Sequence, residues 1–221
     1  MTAHTRATAT MDGVKALKQV IRKDIDLKLR QYSADEVASA SAQLTSHLVQ
    51  HPAFVQAKSV CAYLPMPNEA STAAIIHEIF AQGKKLYVPK VTGPRSEDMV
   101  MLHVTSQRDI DTFPKSKWNI PEPLLDHPNG LPRENALDVT DLDLILVPGV
   151  AFDAHCNRLG HGKGYYDCFF ERYASKCRGA LPPTLGIALP EQVIDQVPTS
   201  AHDKALDGLV TPRGVLSRFT P

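Results

Sequence analysis

The second half of this 221-residue chain contains a buried-strand pattern, a glycine-rich loop and a helical pattern, in that order. Residues 144–149 form an apolar run that predicts a buried strand, and residues 163–176 predict a helix. Gly160, Gly162 and Gly164 lie between the two. Glycine permits positive φ angles and close approach of backbone N–H groups, and the start of a helix adds free N–H groups. This order of elements predicts an anion site, for which phosphate is the natural ligand.

Charged side chains accompany these glycines. Lys163 and Arg158, with His161, would place positive charge beside phosphoryl oxygens, and Asp167 is a hard oxygen ligand suited to Mg²⁺. Two common nucleotide motifs do not fit. A Walker loop needs Ser or Thr after its Gly-Lys pair, where this chain has a third glycine, and the dinucleotide fingerprint needs glycine where Tyr165 stands. An ordinary glycine-rich turn with solvated charges remains an alternative for this stretch taken alone.

Charge and cysteine content exclude several classes of protein. Lys+Arg and Asp+Glu both number 24, so the chain lacks the basic excess that binds nucleic acid or an anionic membrane. No apolar run reaches the length of a membrane span, and the N-terminus lacks the apolar core of a secretory signal. The four cysteines include no Cys-x-x-Cys pair, which favours reduced thiols over disulfides or zinc. We therefore expect a cytosolic protein with neither nucleic-acid nor membrane partners.

The first eleven residues differ from the rest of the chain. They are rich in Thr and Ala and contain Arg6 but no acidic residue, which is faintly similar to a transit peptide. A short polar tail of this kind is more often disordered. We expect a disordered tail at residues 1–11 and a single α/β domain at residues 12–221, with a mitochondrial pool as the alternative to a purely cytosolic protein.

The N-terminal part of that domain predicts a helical hairpin. Apolar residues recur every three or four positions over residues 14–29, which indicates an amphipathic helix whose other face is basic. Ser33 and Glu36 form a capping-box pattern for a second helix, and Pro52 ends it. The apolar positions of the first helix are Leu17, Ile21, Ile25 and Leu29.

The remaining chain alternates strands and helices. Residues 59–64 and 86–89 predict two strands joined by a helix that Ser71 or Thr72 caps and Gly83 ends, which makes a βαβ unit. Further strands are predicted at residues 99–104, 143–148, 185–189 and 209–211. The alternation predicts a Rossmann-like three-layer α/β fold, an open and mostly parallel sheet with helices on both faces. Ligands of such sheets bind beyond the carboxyl ends of the strands, where the loops after Leu64, Val147 and Leu189 would meet.

Other candidate site residues each have a structural alternative. Glu69 follows the first strand and would accept hydrogen bonds from a flat heterocycle, but a proline-braced turn with an exposed Glu fits equally well. Trp118, the only tryptophan, would stack on an aromatic ligand or belong to the core. Lys18 and Arg22 stand one helical turn apart and would reach phosphates or form a solvated face. Asp203 would join the metal site or be an ordinary surface residue.

Together these stretches resemble the 5-formyltetrahydrofolate cyclo-ligase family, also called 5,10-methenyltetrahydrofolate synthetases. The resemblance covers nearly the whole chain, and residues 148–167 are its most specific part. It also includes the Lys-x-x-x-Arg pattern of the first helix, the turn at residues 64–72, residues 118–123 and the His202-Asp203 region. Ile21, His161 and Cys168 depart from residues common in the family, but none of them removes a predicted phosphate or metal ligand.

The resemblance implies an ATP-dependent cyclisation of 5-formyltetrahydrofolate to 5,10-methenyltetrahydrofolate, with release of ADP and phosphate through a phosphorylated N5-formyl intermediate. It implies that Lys163 and Arg158 are catalytic and that Asp167 and Asp203 bind Mg²⁺. The implied ATP-binding residues are Lys18, Arg22, Arg158, Leu159, Gly160, His161, Gly162, Lys163, Gly164, Tyr165 and Tyr166. The implied folate-binding residues are Arg22, Leu64, Glu69, Trp118, His161, Gly162, Lys163, Gly164 and Tyr165. We expect a monomer.

Two other functions stay open at this point. A nucleotide-dependent oxidoreductase or transferase could use the same scaffold, because fold does not fix function. Against it, no acidic residue ends a strand about 20 residues after the glycine loop, where a dinucleotide fold would have one. A non-catalytic protein that binds ATP or folate is the third interpretation, and Mg²⁺-dependent turnover of ATP would exclude it.

Overall fold

The computed structural model describes residues 11–66, 69–116, 120–177, 179–200 and 203–218. Its strands are β1 (Ser59–Cys61), β2 (Lys85–Val91), β3 (Met99–Val104), β4 (Leu144–Val147), β5 (Ala151–Phe152), β6 (Arg158–Leu159), β7 (Thr184–Ile187), β8 (Gly208–Thr211) and β9 (Gly214–Ser217). Seven of them form one sheet in the order β3-β2-β1-β4-β7-β8-β9. The five inner strands run parallel, and the edge strands β3 and β9 are antiparallel to their neighbours. The prediction of a mostly parallel sheet is confirmed.

Helices cover both faces of this sheet, as predicted. They are α1 (Met11–Leu29), α2 (Ala34–Gln50), α3 (Pro52–Gln56), α4 (Ala73–Ala81), α5 (Gln107–Asp111), α6 (Ala136–Val139) and α7 (Tyr165–Lys176), with a 3-10 turn at Pro190–Gln192. Successive side chains of β4 alternate between two cores: Leu144 and Leu146 pack with α1, α2 and α4, whereas Ile145 and Val147 pack with α6 and α7. No helix within the described ranges is long and apolar enough to cross a membrane.

Local sequence signals explain where several helices begin. The Ser33 hydroxyl accepts a hydrogen bond from the Glu36 N–H at 3.2 Å, and the Glu36 carboxylate accepts from the Ser33 N–H at 2.8 Å, so the capping box is confirmed. Pro52 then starts α3, after α2 has ended at Gln50. Thr72 precedes α4 without a side-chain cap, because its hydroxyl instead donates to the Tyr63 carbonyl at 2.6 Å.

Three sequence predictions differ from the structure. The strand at residues 144–147 does not feed the glycine loop directly, because the small antiparallel hairpin of β5 and β6 stands between them. Strand β9 was missed, since four residues at the end of a chain carry little periodicity. Leu17 is 50% exposed and not part of the core, whereas Ile25 and Leu29 further along α1 are buried. The predicted tail lies outside the described residues except for Met11, which begins α1.

The strand order places one crevice at the centre of the sheet. From β1 the chain moves outward to β2 and β3, and it then returns to β4 on the other side of β1. This reversal is a topological switch point, and open parallel sheets bind ligands outside the carboxyl ends of the strands at such a point. The loops that follow β1, β4 and β7 meet there.

Away from that crevice, a buried ion pair joins α5 to Arg133 beside the end of β3. Arg133 donates from Nη1 and Nη2 to the two carboxylate oxygens of Asp109 at 2.7 and 2.6 Å, and Nη1 also donates to the His103 carbonyl at 3.0 Å. The hydrogen bonds from Arg133 lower the pKa of Asp109 from 3.8 to about 2. Because the folded pKa lies below the unfolded one, the pair stabilises the fold above pH 4, and this contribution is lost as the pH falls towards 2.

We predict that Arg133→Met lowers the free energy of unfolding by about 3–5 kcal/mol at pH 7, because it leaves a buried carboxylate without its partner. Urea unfolding measures this loss. The difference in unfolding free energy between the variant and the wild type should decrease as the pH falls from 4 to 2. The exposed neighbour Arg108 provides the control, and Arg108→Met should change stability by less than about 0.5 kcal/mol. A loss of the same size in both variants would contradict the prediction.

Candidate active site

The β5–β6 hairpin carries the glycine loop to the carboxyl edge of the sheet, and the fully buried Asp153 shapes it. The Asp153 carboxylate accepts hydrogen bonds from the backbone of His155 and Asn157 at 2.9 and 3.0 Å. It also accepts from the Val197 N–H at 2.9 Å, which ties the loop after β4 to the loop after β7. Sequence reasoning missed this residue, although an Asp that opens a tight turn is a recognisable signal.

The glycine loop is exposed over residues 161–164. Gly162 has φ +98°, and Gly164, with φ +69°, directly precedes α7, so two of the three glycines occupy conformations that other residues rarely adopt. Gly160 lacks a positive φ, but a Cβ there would lie 2.8 Å from Arg158 Nη1. Lys163 has no hydrogen-bond or ion-pair partner among the described residues, so its ammonium is available to a ligand.

Helix α1 meets the glycine loop through its basic side chains. Arg22 Nε donates to the Gly160 carbonyl at 2.9 Å, and Lys18 Nζ lies 2.5 Å from Asp203 Oδ2. The Lys18 side chain is only 14% exposed, so the alternative of a solvated basic face is wrong for these two residues. Burial lowers the pKa of Arg22, and the charge of Asp203 partly offsets that shift. The contacts join α1, the glycine loop and the loop before β8.

Asp203 Oδ2 accepts hydrogen bonds from three donors. Besides Lys18, the N–H and the hydroxyl of Ser200 donate to its Oδ2 at 2.6 and 2.8 Å. Burial alone would raise the pKa of this carboxyl, but the hydrogen bonds from Lys18 and Ser200 outweigh it and the net shift is downward. The carboxylate therefore stays charged at the edge of the site. His202 lies outside the described residues.

Asp167, on the first turn of α7, is held by Arg158. Arg158 Nη2 donates to Asp167 Oδ2 at 2.8 Å, Nη1 donates to the Pro148 carbonyl at 3.3 Å, and the guanidinium lies over the Tyr166 ring at 5.5 Å. The side chain of Arg158 is 6% exposed and that of Asp167 is 24% exposed. Direct contact of Arg158 with phosphate stays a prediction.

Glu69 lines the opposite side of the crevice. Its side chain is only 10% exposed, so the alternative of an exposed turn residue is wrong. Glu69 Oε2 accepts a hydrogen bond from the Met66 N–H at 2.8 Å, and Oε1 lies 3.6 Å from His161 Nε2. Leu64 is half-buried against the core beside it. The turn after β1 and the glycine loop thus face each other across the switch point.

Two tyrosines follow the glycine loop. The Tyr165 hydroxyl donates to the Gly93 carbonyl at 3.3 Å and thereby fixes the β2–β3 turn beside the site. The Tyr166 hydroxyl is buried with no hydrogen-bond partner among the described residues, and burial raises its pKa well above the ordinary value. Leu159 is buried in β6 and supports the loop from below. Trp118 lies outside the described residues, so its predicted contact with folate stays a prediction.

The residues present fit a metal that arrives with a nucleotide. No group of three or more His, Cys, Asp or Glu side chains capable of holding a metal occurs in the described part of the chain. The two carboxylates predicted as ligands are each paired with a cation, Asp167 with Arg158 and Asp203 with Lys18. Mg²⁺ commonly takes one or two protein carboxylates and completes its shell with water and substrate phosphates. This donor set suits Mg²⁺ bound to a triphosphate and not a free ion.

The fold and the comparisons that follow define an α/β enzyme that acts on small molecules. Residues 14–212 match the model of the 5-formyltetrahydrofolate cyclo-ligase family. A relative from Mus musculus, a 5-formyltetrahydrofolate cyclo-ligase, is 37% identical over 194 residues, which are 88% of this chain and 93% of the relative. The chain therefore belongs to the 5-formyltetrahydrofolate cyclo-ligase family, and the resemblance seen in the sequence is confirmed.

Two further comparisons agree. A relative from Arabidopsis thaliana, described as a mitochondrial 5-formyltetrahydrofolate cyclo-ligase, is 30% identical over 229 residues, 98% of this chain and 81% of the relative. The solved structure of 5,10-methenyltetrahydrofolate synthetase from Aquifex aeolicus is 30% identical with a TM-score of 0.72, and the match covers 93% of this chain and 94% of that one.

We predict that Gly162→Ala weakens ATP binding at least about tenfold, because a Cβ there is strained at φ +98° and lies 3.3 Å from Arg22 Nη2. Gly130 is a matched control, since it also has positive φ (+80°) but lies in a distant turn, where an added Cβ would meet no atom within 4 Å. Both substitutions should cost about 1–3 kcal/mol of stability. Calorimetric titration with ATP should separate them, and equal binding by both variants would contradict a ligand role for Gly162.

Proposed function

We propose that the protein catalyses the ATP- and Mg²⁺-dependent cyclisation of 5-formyltetrahydrofolate to 5,10-methenyltetrahydrofolate, with release of ADP and phosphate. Family membership supports the folate substrate. The observation that carries the proposal is the meeting of Lys18 and Arg22 with the glycine loop and Asp203 at the switch point. Residues from both ends of the chain converge there on one anion site, opposite a shielded carboxylate that suits a heterocycle.

The chemistry explains why such a site needs both a triphosphate and a folate subsite. A formyl oxygen is a poor leaving group, so the oxygen first attacks the γ-phosphorus and displaces ADP, which gives an N5-iminium phosphate. The nitrogen N10 then attacks the formyl carbon, loses its proton and expels phosphate as the five-membered ring closes. No protein side chain has to act as a covalent nucleophile. Positioning of the reactants supplies much of the catalysis, and orientation of this kind is worth on the order of 7–11 kcal/mol.

In this proposal the triphosphate lies over the glycine loop. The free N–H groups at the start of α7 and the loop backbone of residues 160–166 would bind phosphoryl oxygens. Lys163 would stay in contact with the γ-phosphoryl group during its transfer, because the ammonium is exposed and has no partner among the described residues. Lys18 and Arg22 would bind the phosphates from the α1 side.

The folate would occupy the side of the crevice nearer β1. Glu69 would accept hydrogen bonds from ring N–H groups, and Leu64 would pack against the ring. His161, 3.6 Å from Glu69, would close the subsite between folate and ATP together with the backbone of residues 162–165. Trp118 and Arg22 are proposed as further folate contacts, as the family resemblance implies.

Asp167 and Asp203 are the proposed Mg²⁺ ligands. When bound with ATP, Mg²⁺ would offset the negative charge that builds up on the transferring phosphoryl group. The chain's own contribution is to hold two charged carboxylates at the rim of the phosphate site. Lys18 and Ser200 both donate to Asp203 Oδ2, so Oδ1 is the oxygen that would bind the ion.

We further propose a monomeric enzyme with one catalytic domain at residues 12–221, located in the cytosol. All four cysteines, Cys61, Cys156, Cys168 and Cys177, carry free thiols, which suits a reducing compartment. A fluorescent fusion to the full chain, compared with one lacking residues 1–11, would reveal a mitochondrial pool that depends on the tail.

The direct test follows the absorbance of the methenyl product while the purified protein is mixed with 5-formyltetrahydrofolate, ATP and Mg²⁺. We expect a rise only when all three are present. If ATP binding remains detectable by thermal shift but no rise occurs, the folate assignment fails while the phosphate site stands. Binding of both ligands without turnover would favour the non-catalytic alternative.

We predict that Lys163→Ala lowers kcat roughly 10²–10³-fold, the range seen when one charge-stabilising donor is removed from a transition state. Its melting temperature should stay close to that of the wild type, because the side chain is exposed and makes no hydrogen bond or ion pair within the described ranges. Lys23→Ala, which removes an exposed lysine from α1, is the control and should retain full turnover. Equal losses of activity and stability in Lys163→Ala would indicate that Lys163 has a structural role and not a catalytic one.

A further inference from the structure

We infer that the ion pair between Lys90 and Glu122 positions one wall of the folate subsite, and that the two residues act through each other and not by contact with the substrate. Lys90 lies near the end of β2, and Glu122 follows the chain 32 positions later in the long connection between β3 and β4. The inference rests on the proposed function, since it concerns the folate of the same site.

Residues 114–116 and 120–122 are the two arms of a short antiparallel hairpin. The Ser116 N–H donates to the Ile120 carbonyl at 2.8 Å, and the Glu122 N–H donates to the Pro114 carbonyl at 3.0 Å. The residues on either side of the arms, Phe113 and Pro123, are buried. Pro114 itself is exposed, so the arms leave the core directly after their base and need a further contact to hold them in one position.

The position of Lys90 in the sheet puts that contact beside the end of β1. Strands β1 and β2 run parallel, with Cys61 opposite Tyr87. Lys90 comes three residues after Tyr87, and Leu64 comes three residues after Cys61. Because parallel strands rise equally per residue, Lys90 and Leu64 reach the same level at the carboxyl edge of the sheet.

The ion pair is close and partly shielded from solvent. Lys90 Nζ donates to Glu122 Oε2 at 2.9 Å, and the two side chains are 21% and 24% exposed. Side chains alternate along a strand, so Lys90 lies on the same face as Leu86 and Val88, and Leu64 packs against the core of that face. A pair at such a site is screened less than one on an open surface. It therefore ties the hairpin arms to the end of β2, next to Leu64.

This geometry separates the two substrates of the proposed reaction. Leu64 and Glu69 would hold the folate ring after β1, and the hairpin arms would bound the same subsite on the β2 side. The triphosphate would lie over the glycine loop, which follows β4 on the other side of β1. Displacement of the arms should therefore weaken folate binding, while ATP binding and the phosphoryl transfer stay almost unchanged.

Steady-state kinetics of the full chain with 5-formyltetrahydrofolate and ATP test this role. Lys90→Glu replaces the attraction by repulsion and should raise the KM for the folate by about fivefold or more, within the range of coupling between residues in contact. The kcat and the KM for ATP should change less than about twofold, as expected when only ground-state binding of one substrate is lost. Glu122→Lys should have the same effect.

The double variant Lys90→Glu/Glu122→Lys is the decisive measurement. It restores opposite charges with their positions exchanged, so it should recover most of the KM that each single variant loses. If Lys90 instead contacted a carboxylate of the folate directly, the double variant would stay at least as impaired as Lys90→Glu alone.

A second ion pair provides the matched control. Lys176 Nζ lies 3.0 Å from Asp138 Oδ1 and joins α6 to the last turn of α7, at the far end of that helix from the glycine loop. Lys176→Glu should leave both KM values unchanged. Thermal melting checks that each variant is folded, and Lys90→Met, which keeps an apolar side chain, takes the place of Lys90→Glu if the reversed charge prevents folding.

Two results would overturn the inference. One is an unchanged folate KM in both single variants together with a lowered melting temperature, which would make the pair a stabilising contact only. The other is a double variant that recovers none of the lost KM. If the wild type forms no product from 5-formyltetrahydrofolate, the proposed function fails along with the inference. If the wild type turns over and either of the two results appears, the proposed function stands and the positioning role falls.

Discussion

The site depends on two contacts between α1 and loops that lie far away in sequence. Lys18 pairs with Asp203 across 185 positions, and Arg22 binds the Gly160 carbonyl across 138 positions. The first half of α1 has little other anchoring, because Leu17 and Val20 are 50% and 62% exposed. A charged pair held this close is stronger at a partly buried site than on an open surface. The same contacts that dock the helix thus place its cations at the switch point.

Charge balance explains how two acidic side chains can lie beside the proposed phosphate site. Each carboxylate proposed for the metal is paired with a basic side chain, so neither acid carries an uncompensated charge. A nucleotide would bring negative phosphates and its metal positive charge, so the two together would add little net charge beside these pairs. Either one alone would leave a charge uncompensated. On this reasoning the affinities for metal and for nucleotide are coupled, and by linkage the coupling must be reciprocal.

Much of the fold could be predicted because its signals are local. The capping box at Ser33, the breaker at Pro52 and the apolar runs of β1, β4 and β7 each act over a few residues, and each predicted element formed. The misses have equally local causes. Hairpin β5–β6 has strands of two residues, too short for a periodic pattern, and the turn signal of Asp153 does not by itself predict strands on either side of it. No local sequence signal predicts that α1 contacts the loop before β8.

Glycine shows why the site was harder to predict than the fold. A glycine can be required by a positive φ, by a ligand that approaches the backbone, or by a neighbouring side chain that needs the space. The sequence alone does not distinguish these causes. Here Gly162 and Gly164 have the first cause, whereas Gly160 lacks a positive φ and a Cβ there would lie 2.8 Å from the end of the Arg158 side chain. The three glycines invite the interpretation that every basic neighbour serves the anion. In the fold the two cations differ in burial: Lys163 is exposed on the loop, whereas the Arg158 side chain, which pairs with Asp167, is 6% exposed.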